Sequence, residues 1–411
     1  MPRSKKTLTG RRQMAFRVFD ALGTALVEME RRETYISSSP KVWPSEASAE
    51  LFDKTEAGSI GRCRRAVYFR MTGREPSNPM DALGCQIVRL GRAVETEVIA
   101  QARAAGLHVA SGVRYFVEDL TMSFELDGVL LDPVTHQGVI TEVKSFDGYV
   151  ATKRIIKEGK PKLEHVLQAL IYLNELRNGR ILKQNIEQQW LERDVNPEEA
   201  ERRHNRIEVT RENLDLMDPG PLATKLLYFS RTGRDVREFD ISIHEDFDGV
   251  HYPSIDGTPW KLFTVENIYN RYIQVQEYWR RAVVEATKRM EERGILAPGP
   301  IGDPPTPEDK VDMDKYWEVV RQEIAKLPDD FLPPADFEYR YSAEKIEALF
   351  KQGSIGKAKY AEWKKKGTTL GAWQCRYCSY KLSCITKTYP DLRFMLLQGA
   401  VPVEELVTEE V

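Results

Sequence analysis

Apolar positions along the chain follow two periods. Leu126–Leu131 and Val139–Val143 are compact β-rich runs separated by Asp132-Pro133 and Gln137-Gly138, turn formers that neither run can absorb, so a β-hairpin is predicted. Ala223–Phe229 and Val236–Ile243 alternate around Thr232-Gly233-Arg234-Asp235 and predict a second hairpin extending the same sheet. Arg114–Val117 reads as an earlier strand. Elsewhere the spacing is helical. Residues 14–33 place Phe19, Leu22, Leu26 and Met29 three and four apart, and a second helical stretch, Gly61–Met71, carries Cys63 among Arg62, Arg64, Arg65 and Arg70. Most of those arginines are expected on a solvated face. A long helix from Asp81 to Ala105 is closed by Gly106. Leu163–Leu176 stacks Leu163, Val166, Leu167, Leu170 and Ile171 on one side, and Phe263–Arg293 reads as one further long helix. Strands interleaved with helices in this order predict an α/β fold.

Composition adds boundaries to that picture. With 411 residues the chain can form two or three domains or one elaborated core. The expected division is a helical N-terminal region (1–60), an α/β core (61–293), a Pro-rich acidic insertion with one short helix (294–345), and a C-terminal cysteine segment (346–411). Residues 184–212 are highly charged and are expected to form a surface helix and connection. No run reaches the roughly 18 apolar residues of a membrane span. The basic stretch Met1–Gln13 is followed by an amphipathic pattern rather than an apolar block, so a cytoplasmic protein is expected. A net charge of −3 argues against a wholly basic nucleic-acid binder. Local clusters carry more information, notably Lys153, Arg154, Lys157, Lys160 and Lys162, read as a basic loop suited to phosphate.

Side-chain alternation puts Glu142 and Lys144 on one face of their strand, with Asp127 in reach from the partner strand. Two carboxylates beside an ammonium offer hard oxygen ligands to a divalent cation next to a fixed positive charge. Glu95 lies on the preceding helix between Val94 and Val98, close to the face that should be buried. His165, Gln168 and Tyr172 share a second helical face at spacings of three and four. Cys375, Cys378 and Cys384 place three thiols within ten residues, a density that suits a metal or an iron–sulfur cluster better than a core. A fourth ligand is missing locally, and Cys63 and Cys85 are the two candidates. Tetrahedral thiolates also suit zinc.

Glu95, Asp127, Glu142-x-Lys144, Gln168-x3-Tyr172, an upstream cysteine and a C-terminal three-cysteine knot, in that order, resemble the iron–sulfur RecB-like branch of the PD-(D/E)xK nucleases. That branch includes the CRISPR-associated RecB-like exonucleases, the AddB nuclease subunit and exonuclease V. The resemblance spans roughly Cys63–Tyr172 and Gly371–Cys384. It implies a restriction-endonuclease-like core, a central mixed sheet flanked by helices with helical elaborations, and a cysteine cluster joining the two ends of the chain. It implies a metal-dependent DNA nuclease, an exonuclease on single-stranded ends, serving DNA processing, recombination or repair with a helicase or other protein partner. Carried over, Glu95, Asp127 and Glu142 bind Mg²⁺ or Mn²⁺, and Lys144 orients the attacking water and stabilises developing charge. Gln168 and Tyr172 position the DNA strand. Cys63, Cys375, Cys378 and Cys384 hold a 4Fe-4S cluster. Glu95 stands where many relatives carry His, a departure that a hard cation accommodates. The competing expectation is a nuclease-derived subunit that binds DNA or assembles with partners without cutting.

Overall fold

The computed structural model describes residues 23–29, 41–52, 58–177, 208–209, 223–295 and 307–388, together with positions 184, 187 and 188. Of the expected 14–33 helix, 23–29 is helical; the rest of it, and nearly all of the charged 184–212 stretch, lie outside the described residues.

A small pair, β1 (Ser48–Glu50) and β2 (Ser59–Gly61), precedes helix α1 (Arg64–Met71) and the long helix α2 (Ala82–Ala104). The expected Gly61 start for α1 is displaced to Arg64: Gly61 sits at φ +82 in strand β2, and Cys63 is the residue that caps the helix. Helix α2 begins where Asp81 accepts the Gly84 amide, and Gly106 (φ +69) follows its end. The early strand predicted at Arg114 is preceded by one that was not predicted. β3 (His108–Ser111) and β4 (Val113–Val117) are separated by Gly112 at φ +65, a kink that lets the chain leave one sheet for another.

β4 pairs with β5 (Met122–Leu126) as a separate ribbon, while β6 (Gly128–Leu131) pairs with β7 (Gly138–Phe146) in the main sheet. The hairpin register is Gly128 to Thr141 through Leu131 to Gly138, and Asp132 closes the turn by accepting the Val134 and Thr135 amides. Beyond β7 the expected basic loop is helical, as α3 (Tyr149–Thr152) running into a π-helical turn, Lys153–Lys157. α4 (Leu163–Leu176) has the expected bounds, with Leu167, Leu170 and Ile171 fully buried, each stabilising the fold by roughly 1.5–3 kcal/mol.

The main sheet continues with β8 (Glu208–Val209), β9 (Thr224–Ser230), β10 (Val236–Glu245), β11 (His251–Ile255) and β12 (Thr258–Pro259). Its order is β12-β11-β10-β9-β7-β6-β3-β8. β7 and β9 are parallel and the other pairs antiparallel, so this is a central mixed sheet. Lys144 and Tyr228 pair in register, and Tyr228 stacks on His165 of α4. Ser145, pointing the opposite way, lies beside Gly91 of α2. The two helices therefore cover opposite faces.

Helix α5 (Val265–Glu292) starts at Thr264, whose hydroxyl accepts the Asn267 amide. Where one short helix was expected in the Pro-rich stretch, α6 (Pro307–Ile324) is 18 residues long and joins α5 through stacked Trp279 and Trp317 rings 6.2 Å apart. Asp336 follows, buried, bound by Arg64 at 2.7 Å and Arg271 at 2.6 Å. The acidic stretch is thus fastened to α1 and α5. Helices α7 (Ala343–Lys351), α8 (Lys357–Lys366), α9 (Trp373–Arg376) and α10 (Lys381–Thr388) complete the fold. Among the described residues no helix is long and apolar enough to cross a membrane.

Candidate functional site

Asp127 occupies the corner where the chain passes from ribbon to sheet. β6 stops pairing with β7 at Thr141, which leaves the Val143 amide facing the corner, and Asp127 Oδ2 accepts it at 2.8 Å. A side chain thus replaces a strand partner. Gly128 permits the turn inward, since a Cβ there would meet Ile99 Cδ1 at 2.9 Å.

Glu142 is 1% exposed and its Oε1 is paired with Lys144 Nζ. Its other oxygen, Oε2, is sealed from solvent without a fixed hydrogen-bond partner. Burial, and then the neighbouring Glu142 carboxylate, push Asp127 up to about 8. Burial likewise raises Glu142, with the Glu95 carboxylate adding to the repulsion and Lys144 and Asp127 opposing it. A proton shared between Asp127 and Glu142 is the physical resolution of two buried carboxylates side by side. Burial works against the charge of Lys144, but Glu142, Asp127 and Glu95 outweigh it and raise its pKa. Lys144 therefore stays an ammonium.

Helix α4 closes the site from the same face. Tyr172 is buried, accepts Gln168 Nε2 at 2.6 Å and packs on Phe124 with ring centres 5.0 Å apart. Burial and the fields of Glu142 and Asp127 raise its pKa well above the usual phenol, so its hydroxyl stays protonated. His165 Nδ1 lies 2.7 Å from the Tyr228 hydroxyl. Burial and then Lys144, Lys162 and Arg154 hold it neutral. Of the helical row, Tyr172 lies in the field of the carboxylates, Gln168 holds Tyr172, and His165 meets Tyr228 on the Lys144 side. Tyr228 was not singled out from sequence: it occupies one position in an alternating apolar strand, and only its pairing with Lys144 brings it into the site.

A second cluster lies away from the sheet. Cys63, Cys375, Cys378 and Cys384 line one cavity, closed by Phe69 and Tyr380. Cys85 is buried in α2 and does not line it. Burial and then Asp336 raise the Cys63 thiol to about 11, and burial followed by Cys63, Cys384 and Cys378 raises Cys375 further. Cys375 Sγ contacts the Phe337 carbonyl at 3.6 Å, and Arg65 Nη1 reaches Cys384 Sγ at 3.7 Å. The C-terminal turn is pinned by Ser77, whose Oγ accepts the Leu382 and Ser383 amides, and by Asn78, which donates to the Cys378 and Ser379 carbonyls. Arg65 donates to the Pro333 carbonyl and Arg70 pairs with Glu46, so these residues and Arg64 form tertiary contacts rather than the solvated face expected of them.

Among the described residues no three His, Cys, Asp or Glu donors already converge on a single ion position. The donor sets still suit the ions implied. The orphaned Oε2 beside two further carboxylates suits a hard cation, and four thiols on one cavity suit iron or zinc. Compared with protein-family models, curated proteins and solved structures, the chain matches none.

Proposed function

We propose that the protein is a divalent-metal-dependent DNA nuclease of PD-(D/E)xK type, an exonuclease acting on single-stranded ends in the cytoplasm, with a helicase or recombination partner. The observation that carries this reading is the meeting of Asp127, Glu142 and Lys144 at the free end of the β6–β7 pairing, with Glu142 Oε2 buried and orphaned. A carboxylate oxygen sealed without a donor is costly, and a cation offsets that cost.

Asp127, Glu142 and Glu95 would hold Mg²⁺ or Mn²⁺, which when bound polarises a phosphodiester and lowers the pKa of bound water. Lys144, held as an ammonium by its carboxylate neighbours, orients water and stabilises the negative charge that grows at phosphorus. Tyr172 offers a protonated hydroxyl to a phosphate oxygen, and Gln168 fixes its orientation. Cys63, Cys375, Cys378 and Cys384 would hold a 4Fe-4S cluster that ties α1 to α9 and α10. Zinc is the other occupant to be tested.

Incubating the full-length protein with end-labelled and circular DNA, single- and double-stranded, with and without Mn²⁺, tests the reading. Metal-dependent shortening of linear single strands is expected. DNA binding with no cleavage under any metal would overturn it in favour of a non-cutting subunit. Anaerobic purification separates a brown iron protein from a colourless zinc one.

A further inference from the structure

Just past the carboxylates, the ends of β7 and β9 carry positive charge that no described carboxylate meets in a direct ion pair. Arg231 follows β9 directly, its amide donating to the Phe146 carbonyl at 2.9 Å, and its Nε is sealed from solvent without a partner. Lys162 stands at the start of α4, where its amide donates to the Tyr228 hydroxyl at 3.1 Å. Arg154 reaches back from the π-helical turn, Nη2 donating to the Pro161 carbonyl at 3.2 Å. None of the three forms an ion pair with a described carboxylate. The neighbouring Lys153 and Lys160 do, sharing Glu158 at 3.8 and 4.0 Å.

Their mutual repulsion is visible in the surroundings. Burial lowers the Lys162 pKa; Glu164 opposes this, while Arg154 and Arg231 lower it further. His165 is kept neutral between this group and Lys144. Lys162 and Arg231 are half-buried without an ion-paired carboxylate, which is costly, and the amino-terminal end of a 14-residue helix adds to the positive potential. An anion removes the cost. Three cations suit a phosphate monoester, which carries up to two charges, better than a diester with one.

We propose that Arg154, Lys162 and Arg231 form a phosphate subsite beside the carboxylate centre that takes the terminal phosphate monoester of a nucleic-acid strand. Its identity as a strand terminus rests on the nuclease reading; the anion subsite itself does not. A strand anchored by its terminal phosphate presents the bonds nearest that end to Asp127, Glu142 and Lys144, which favours release from ends.

The test uses the full-length protein in EDTA, so that no strand is cut. Anisotropy of internally labelled single strands bearing a 5′-phosphate, a 3′-phosphate or no terminal phosphate measures end recognition. One phosphorylated strand should bind about tenfold tighter than the unphosphorylated one. Arg154→Gln/Arg231→Gln should weaken both strands but erase the difference between them, and Arg231→Lys should retain much of it. Inorganic phosphate should raise the melting temperature of the wild type more than that of the double variant. Equal binding of all three strands together with equal melting shifts would overturn the subsite. A phosphate shift specific to the wild type, without discrimination among strands, would overturn the assignment to a strand terminus. If no metal supports cleavage but the wild-type-specific phosphate shift persists, the nuclease reading fails and the subsite stands.

Discussion

The carboxylate corner and the cysteine cavity both gather buried groups that would rather be protonated, yet they are built differently. Asp127, Glu142 and Lys144 come from adjoining strands within 18 residues, and the corner carries its own counter-charge in Lys144. The cavity joins Cys63 to residues more than 300 positions away, with Cys63, Cys375 and Cys378 raised chiefly by burial. Without a metal the corner can settle by sharing a proton and pairing with lysine. The cavity has no such counter-charge among its thiols, and its closure depends on contacts such as Asp336 with Arg64 and Arg271. Substitutions should therefore damage chemistry at the corner and stability at the cavity.

The largest expected effect is on cleavage. Asp127→Ala or Glu142→Ala should reduce the rate by about 10³-fold or more, and Lys144→Ala by about 10²–10³-fold with metal still bound. Melting temperatures of the two carboxylate variants should change little beside the loss of rate, because each removes a buried carboxylate from a crowded pair but also the partner of the Val143 amide or of Lys144. Rates and thermal melts across the three variants check this; wild-type rates in either carboxylate variant would remove that residue from the centre.

At the cavity the order reverses. Cys63→Ser should lose iron and aggregate as Cys375→Ser, Cys378→Ser and Cys384→Ser do, with melting lowered by roughly 5–10 °C. Cys85→Ser should keep its iron and cost only about 1 kcal/mol, the penalty of a hydroxyl in a buried helix position. Iron and sulfide analysis of the five variants decides. Depleted iron in Cys85→Ser with full iron in Cys63→Ser would exchange their roles.

A pH titration sharpens the contrast at the corner. Asp127 rises from 3.8 to about 8 on folding, so its contribution to metal-free stability is full below pH 3.8 and is lost as pH climbs through about 8. Metal must displace that proton. Apparent Mn²⁺ affinity, followed by calorimetry, should rise up to about tenfold per pH unit between about pH 4 and 8, then level off. A flat profile would mean that the carboxylates are already ionised.

The smallest effect is expected on α4. Tyr172→Phe keeps the packing on Phe124 but removes the hydroxyl, so KM for a single strand should rise about tenfold with melting unchanged within a few degrees. Gln168→Ala should follow it in direction. A collapsed transition in Tyr172→Phe would make the hydroxyl structural.

Local pattern carried a good part of this protein. The β6–β7 hairpin, α2, α4 and α5, and the placement of Glu142 and Lys144 on one strand face follow from periods of 2 and 3.6 and from turn formers such as Asp132 and Gly138. Those signals act over one turn or one strand, so they are written in neighbouring residues. What the pattern could not contain was anything set by partners far along the chain. β4 was legible from Arg114, but β3 was not, because only the tertiary path uses Gly112 to send the two to different sheets. Tyr228 and Arg231 enter the site through the parallel pairing of β7 with β9 across nearly eighty residues, which no local periodicity encodes. That Cys63, and not Cys85, lines the cavity with Cys375, Cys378 and Cys384 is likewise a matter of packing, set where α1 meets α9 and α10. Burial decided the protonation of each group, because desolvation depends on the whole surrounding volume rather than on sequence neighbours.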